Sequence, residues 1–145
     1  MPEAGLAALA GVSMVIRIVL ALIGLFYVVN GGYMLAAPEA WYSAIPGVID
    51  TGPMNHHFIQ DIGLAYAASG AGLLLGARAH RNAGTLALAG ATWPALHGVL
   101  HLTGWMMHGI PIDRRVALNE AVGVMALAAL GAVLAFLRAR REGAV

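Results

Sequence analysis

The sequence predicts an all-α protein, a four-helix transmembrane bundle. Three observations lead there. Of 145 residues, 60% are hydrophobic and only 10% charged, whereas a soluble domain carries about a quarter charged residues. Four apolar stretches, 12–36, 57–76, 83–104 and 116–137, each reach the roughly 20 residues that a membrane-crossing helix needs. None alternates as a half-buried strand does, and in lipid only helices or closed barrels satisfy their backbone hydrogen bonds. The mean hydropathy of +0.78 agrees.

The length suits a single domain spanning 1–145. A net charge of +1 gives no reason to expect a nucleic-acid partner, and the positive charge is all arginine. Without cysteine there are no disulfides, thiolate metal sites or cysteine nucleophiles. The chain opens Met1-Pro2-Glu3 with no basic segment before its first apolar run, so a cleaved signal peptide is not expected.

The first helix carries Arg17 within its apolar run, placed to snorkel to the nearer membrane face or to pair with another helix. The loop 37–55 follows. Pro38 is suited to start a short helix over 39–43, Trp41 and Tyr42 suit a membrane interface, and Pro46-Gly47 and Gly52-Pro53 signal turns. This loop is expected to lie as a lid over one mouth of the bundle. In the second helix Gly63, Ala67, Gly70, Gly72 and Gly76 allow close backbone approach. Pro94 interrupts the hydrogen-bond ladder of the third, where the Gly90 carbonyl loses its usual donor. Trp105, Met106, Met107 and His108 lead into the second outer loop.

Arginine placement sets the orientation. Arg17, Arg78, Arg81, Arg138, Arg140 and Arg141 fall on one side, and Arg114 and Arg115 on the other. By the positive-inside rule both termini are cytoplasmic and the protein is a multi-pass component of the cell inner membrane, with the long loop between helices one and two outside.

Ionisable residues within membrane spans are costly and point by default to partners or function. His57 and Asp61 are four apart, as are His97 and His101, and Glu120 begins the last span. At 1.5 Å per residue, Asp61 lies roughly 6 Å deeper than His57 and His97 roughly 6 Å deeper than His101. All five are therefore expected at similar depth near the outer leaflet, converging between helices two, three and four. One reading is a metal site, since paired His and carboxylate ligands from facing helices hold metals in bundles. The nitrogen and oxygen donors suit Zn, Fe, Mn or Cu(II). A second is a pocket for a lipid-soluble molecule such as a quinone or isoprenoid, with a His–carboxylate pair handling protons. Asn30, Trp41 and Trp93 are candidate cofactor contacts, and haem is a further candidate cofactor. A third is a hydrogen-bonded cluster that only fixes helix register, in an accessory subunit of a larger membrane complex or in a homo-oligomer. Met54, Met106, Met107, His56 and His108 form an alternative, outward copper relay.

The run Arg17 to Gly24, then Asn30-Gly31-Gly32 and Pro38, then Asp61-Ile62-Gly63-Leu64-Ala65-Tyr66 with Gly70 and Gly72, resembles the DoxX-like group of small four-helix membrane proteins. The resemblance implies the fold and a broad association with quinone-coupled or other membrane redox complexes. It assigns no role to His56, His57, His97 or His101.

Overall fold

The computed structural model describes residues 3–78, 81–143 and 145. Ala79 and His80, in the short connection between the second and third long helices, lie outside the described residues. All regular structure among the described residues is helical. Helix α1 is Glu3–Ala36, α2 Pro38–Ala44, α3 His56–Gly76, α4 Ala83–His108, α5 Arg114–Leu118 and α6 Leu127–Arg141. A 3-10 turn at Val48–Thr51 lies between α2 and α3, and a π-helical stretch at Asn119–Ala126 joins α5 to α6.

The local chemistry accounts for the boundaries. α1 begins well before the expected residue 12, because the preceding segment is rich in alanine, the strongest helix former. Pro38 occupies the first turn of α2, where its missing N–H costs nothing. Asn55 caps α3, its side chain accepting from the Phe58 amide at 3.1 Å. α4 continues through Pro94 and one turn past the expected end. It stops where Gly109 turns to φ 87°. Asp113 caps α5 by accepting from the Arg115 amide at 2.7 Å.

Three segments, Gly11–Ala36, His56–Gly76 and Arg114–Arg141, are long and apolar enough to cross a membrane. Their apolar side chains are not sequestered: Leu22 and Val29 on α1 are 61% and 62% exposed, as is Val122 at 62%. Soluble monomers rarely leave such continuous apolar surface in water, so these helices are compatible with a membrane protein.

α3 packs between α1 and α4; α6 packs against α4 and, less extensively, against α1. Small residues set the distances. A Cβ at Gly31 would stand 2.5 Å from the Gly63 carbonyl oxygen, and one at Gly70 would stand 2.5 Å from that of Gly24. On the other side of α3, a Cβ at Gly72 would meet the Gly90 Cα at 2.7 Å. One at Gly76 would meet the Ala87 Cβ at 2.5 Å. Gly63 and Gly70 thus seat α3 on α1, while Gly72 and Gly76 seat it on α4. Around these contacts Leu20, Tyr27, Met34, Tyr66 and Leu73 form the buried core.

At the arginine-rich end, two guanidinium groups meet the C-terminus of α3. Arg17 donates from Nε to the Ala77 carbonyl at 2.8 Å. Arg138 donates from Nε to the Gly76 carbonyl at 3.4 Å and from Nη2 to that of Arg78 at 3.1 Å. A helix C-terminus presents unpaired carbonyls and partial negative charge, and these arginines answer both. Glu142 pairs with Arg138 at 2.8 Å and accepts from the Gly84 amide, at the start of α4, at 2.7 Å.

Candidate functional site

At the opposite end the helices diverge around a cavity of about 570 Å³. Its walls come from α1 (Phe26, Asn30, Met34), α3 (Phe58, Ile59, Ile62, Tyr66), α4 (His97, His101) and the π-helical stretch (Asn119, Glu120, Gly123, Val124). The loop between α1 and α3 closes it with Trp41, Tyr42, Ile45, Pro46, Gly47 and Val48 among others.

The lid is held by specific bonds. The Trp41 indole nitrogen donates to Asn30 Oδ1 at 3.0 Å. The Tyr42 hydroxyl donates to the Gly52 carbonyl at 2.6 Å, which folds the loop back on itself. Asn119 Nδ2 lies 3.4 Å from the Pro46 carbonyl oxygen. Gly47 has φ 86°, a conformation costly for residues with a Cβ, and a Cβ there would lie 2.8 Å from Val116 Cγ1. His56 Nε2 meets Glu39 Oε1 at 3.0 Å, tying α2 to the first turn of α3. The expected lid therefore exists, but the groups beneath it are Tyr66, His97 and His101 rather than Asp61.

Of the five residues expected to converge, three do. His101 Nδ1 lies 3.4 Å from Glu120 Oε1, and the Trp105 indole nitrogen donates to Glu120 Oε2. His97 lies one turn from His101, with ring centroids 4.8 Å apart and planes at 82°. His57 and Asp61 do not join them. They pair with each other at 3.6 Å, with side chains 88% and 56% exposed, away from the cavity. The reason is angular. At about 100° per residue, His57 and Asp61 lie roughly opposite the buried face of α3 that carries Ile59, Gly63, Tyr66, Gly70 and Leu73. Spacing of four placed the pair on one face, but that face looks outward.

Among the described residues no group of three His, Asp or Glu side chains is arranged to hold a metal ion. The expected five-ligand centre is thus replaced by a His101–Glu120 pair with His97 alongside. The His97 ring lies flat on Trp93, centroids 5.0 Å apart and planes at 10°. Trp93 in turn meets Tyr66 edge-on at 4.9 Å, and Tyr66 meets Tyr27 at 5.4 Å. Of the three candidate cofactor contacts, Asn30 and Trp41 line the cavity. Trp93 stands behind His97 and lines a second, smaller groove between α3 and α4 instead.

The π-helical stretch was not foreseen. Such segments widen a helix by one residue per turn and are frequent at functional sites. Here it brings Asn119, Glu120 and Gly123 together at the cavity. Tyr66 also escaped notice as a site residue, although its place on the Ile59–Gly63–Gly70 face was readable from the spacing of small residues.

Chemically, the cavity combines apolar walls with a few convergent polar groups, the usual make-up of a small-molecule site. Glu120 accepts from the Trp105 indole nitrogen on one oxygen, and its other oxygen lies 3.4 Å from His101 Nδ1. Compared with protein-family models, with curated proteins and with solved structures, the chain matches none of them.

Proposed function

We propose that the chain is a multi-pass inner-membrane protein, a four-helix transmembrane bundle with both termini cytoplasmic. We propose further that its cavity binds a lipid-soluble molecule with a carbonyl or hydroxyl head, of the quinone class. The observation that carries the binding reading is the convergence of His97, His101, Glu120, Asn30 and Asn119 in a lidded cavity whose other walls are mostly apolar. His101 and Glu120 are the groups that would exchange a proton with the head, and the rings of Trp41 and Tyr66 are suited to pack against it. The DoxX-like resemblance of the first two helices points to the same class of ligand.

Two features support the membrane arrangement. α4 has 26 residues, long enough to cross a membrane at about 1.5 Å per residue. His97 and His101 line the cavity, while Leu96, Val99, Leu100 and Leu102 remain exposed as a lipid-facing surface would. Arginines cluster at the end away from the cavity, which the positive-inside rule makes cytoplasmic, so the lid faces outward. Reporter fusions at Thr51 and at Arg141 test this: the first should read external and the second cytoplasmic, and the reverse pattern rejects the orientation.

The binding reading is tested by titrating the purified protein with a decyl-substituted benzoquinone and following tryptophan fluorescence. Saturable quenching that is lost in His101→Ala and Glu120→Ala, both still folded by circular dichroism, supports it. Quenching that rises linearly without saturation, and equally in the variants, rejects it.

A further inference from the structure

We infer that the cavity is reached sideways, through a seam between α1 and the π-helical stretch, and that its ligand therefore carries a hydrocarbon tail lying in that seam. This rests on the cavity being a ligand site, as proposed above, and adds the route and the tail.

The observations concern how α1 and α6 part company. They are neighbours at the level of Ile23 and Gly131, where a Cβ on the glycine would lie 3.8 Å from Ile23 Cγ2. Towards the cavity α1 climbs while the α6 chain is traced backwards into the π-helical stretch. Seven residues further on, roughly 10 Å by helical rise, stand Asn30 on one side and Val124 on the other, and both line the cavity. Among the described residues, α1 and the π-helical stretch have no extended packing with each other, unlike α1 with α3 or α4 with α6. The wall on this side is left to Phe26, Gly123 and Val124.

The rim has the character of a portal for hydrocarbon. Phe26 lines the cavity and is 46% exposed. Leu22, Leu25 and Val29 on α1, and Val122 in the π-helical stretch, are all exposed and apolar. A Cβ added at Gly123 would meet only Asn119 Oδ1, at 3.3 Å, so open space lies in front of this glycine. By contrast the route through the lid is obstructed by the Trp41–Asn30 and Asn119–Pro46 contacts and by Gly47 seated on Val116. An amphipathic molecule sliding in from the bilayer would place its head among His101, Glu120 and Asn119 and leave its tail against Phe26 and Val124.

The test compares two probes, the decyl-substituted benzoquinone and tail-free tetramethylbenzoquinone, by tryptophan quenching of the full chain. Val29→Phe on α1 and Val122→Phe beside Gly123 add bulk at exposed apolar positions at the seam, outside the cavity lining. Gly32→Leu, on open α1 surface with nothing within 4 Å of its Cβ, is the control. Each seam variant should weaken the tailed probe about tenfold and leave the tail-free probe unchanged, because it displaces buried tail methylenes only. The control should change neither. If both probes bind wild type equally and the seam variants leave the tailed probe untouched, the lateral route is wrong while the cavity reading stands. If neither probe binds wild type, the cavity reading fails and the route falls with it.

Discussion

The Trp41 indole nitrogen donates to Asn30 Oδ1 at 3.0 Å, joining the lid helix α2 to α1 at the cavity wall. Both side chains are half-buried. Asn30→Leu leaves the indole N–H without its acceptor, which should cost about 1–3 kcal/mol. Replacing both partners, as in Asn30→Leu with Trp41→Phe, should cost less than the sum of the two single changes. Thermal unfolding of the four proteins in detergent measures the coupling. Strict additivity would show that the contact does not hold the lid.

Glu120 is the junction of the polar wall, since one carboxylate serves both His101 and Trp105. Glu120→Ala removes the acceptor of the Trp105 indole and the carboxylate beside His101, and should destabilise the protein by about 1.5–3 kcal/mol, the range for hydrogen bonds to a charged group. Glu120→Gln keeps one acceptor oxygen and should lose less. Emission from Trp105 should shift in the alanine variant. Equal melting temperatures for wild type and Glu120→Ala would mean that the carboxylate contributes nothing to the fold at this junction.

How far the sequence revealed this site depends on which helix is considered. On α4, His97 and His101 share the buried side with Gly90, Pro94 and Gly98, so spacing and face agree and both histidines line the cavity. On α3, the same spacing in His57 and Asp61 was misleading, because the pair faces away from the small-residue stripe that packs the helix. Weighing the stripe Gly63–Gly70 before the ionisable pair would have separated the two cases. The helices themselves were legible from apolar run length. The π-helical stretch was not, since Asn119–Ala126 has the composition of an ordinary apolar helix. Its wider winding coincides with the cavity wall, a matter of tertiary packing.

The outward placement of His57 and Asp61 has a direct consequence. With side chains 88% and 56% exposed, they make a solvent-screened contact. His57→Ala and Asp61→Ala should each change stability by no more than about 0.5 kcal/mol and leave benzoquinone quenching as in wild type. Loss of quenching in either variant would return this pair to the site and contradict the geometry described here.

Adjacent glycines on α1 provide an internal contrast. A Cβ at Gly31 would sit 2.5 Å from the Gly63 carbonyl oxygen and 2.9 Å from the Ala67 amide nitrogen, both rigid backbone atoms of α3. At Gly32 nothing lies within 4 Å. Gly31→Ala should therefore force the helices apart and cost about 1–3 kcal/mol, as overpacking does. Gly32→Ala should be neutral or stabilising by up to about 1 kcal/mol, from helix propensity alone. Melting temperatures of the two variants, measured side by side, decide the matter: similar values would mean that the α1–α3 spacing is not set by Gly31.

Arg138 is buried and engaged on every side that the structure shows: two carbonyls at the end of α3 and the carboxylate of Glu142. Substituting it removes three roles at once. The Gly76 and Arg78 carbonyls lose a donor at the negative end of the α3 dipole. Glu142 loses its counter-charge while still accepting from the Gly84 amide. The connection from α3 to α4 loses the clamp that α6 places on it. Arg138→Met keeps the apolar stem but no donor, and should cost about 1.5–3 kcal/mol. Arg138→Lys keeps the charge and loses the planar fork that reaches two carbonyls and a carboxylate together, so it should fall between Met and wild type. Because the clamp lies at the end away from the cavity, benzoquinone affinity at temperatures well below unfolding should be unchanged in both variants. A variant that loses binding while keeping its melting temperature would show instead that the two ends of the helices are energetically coupled.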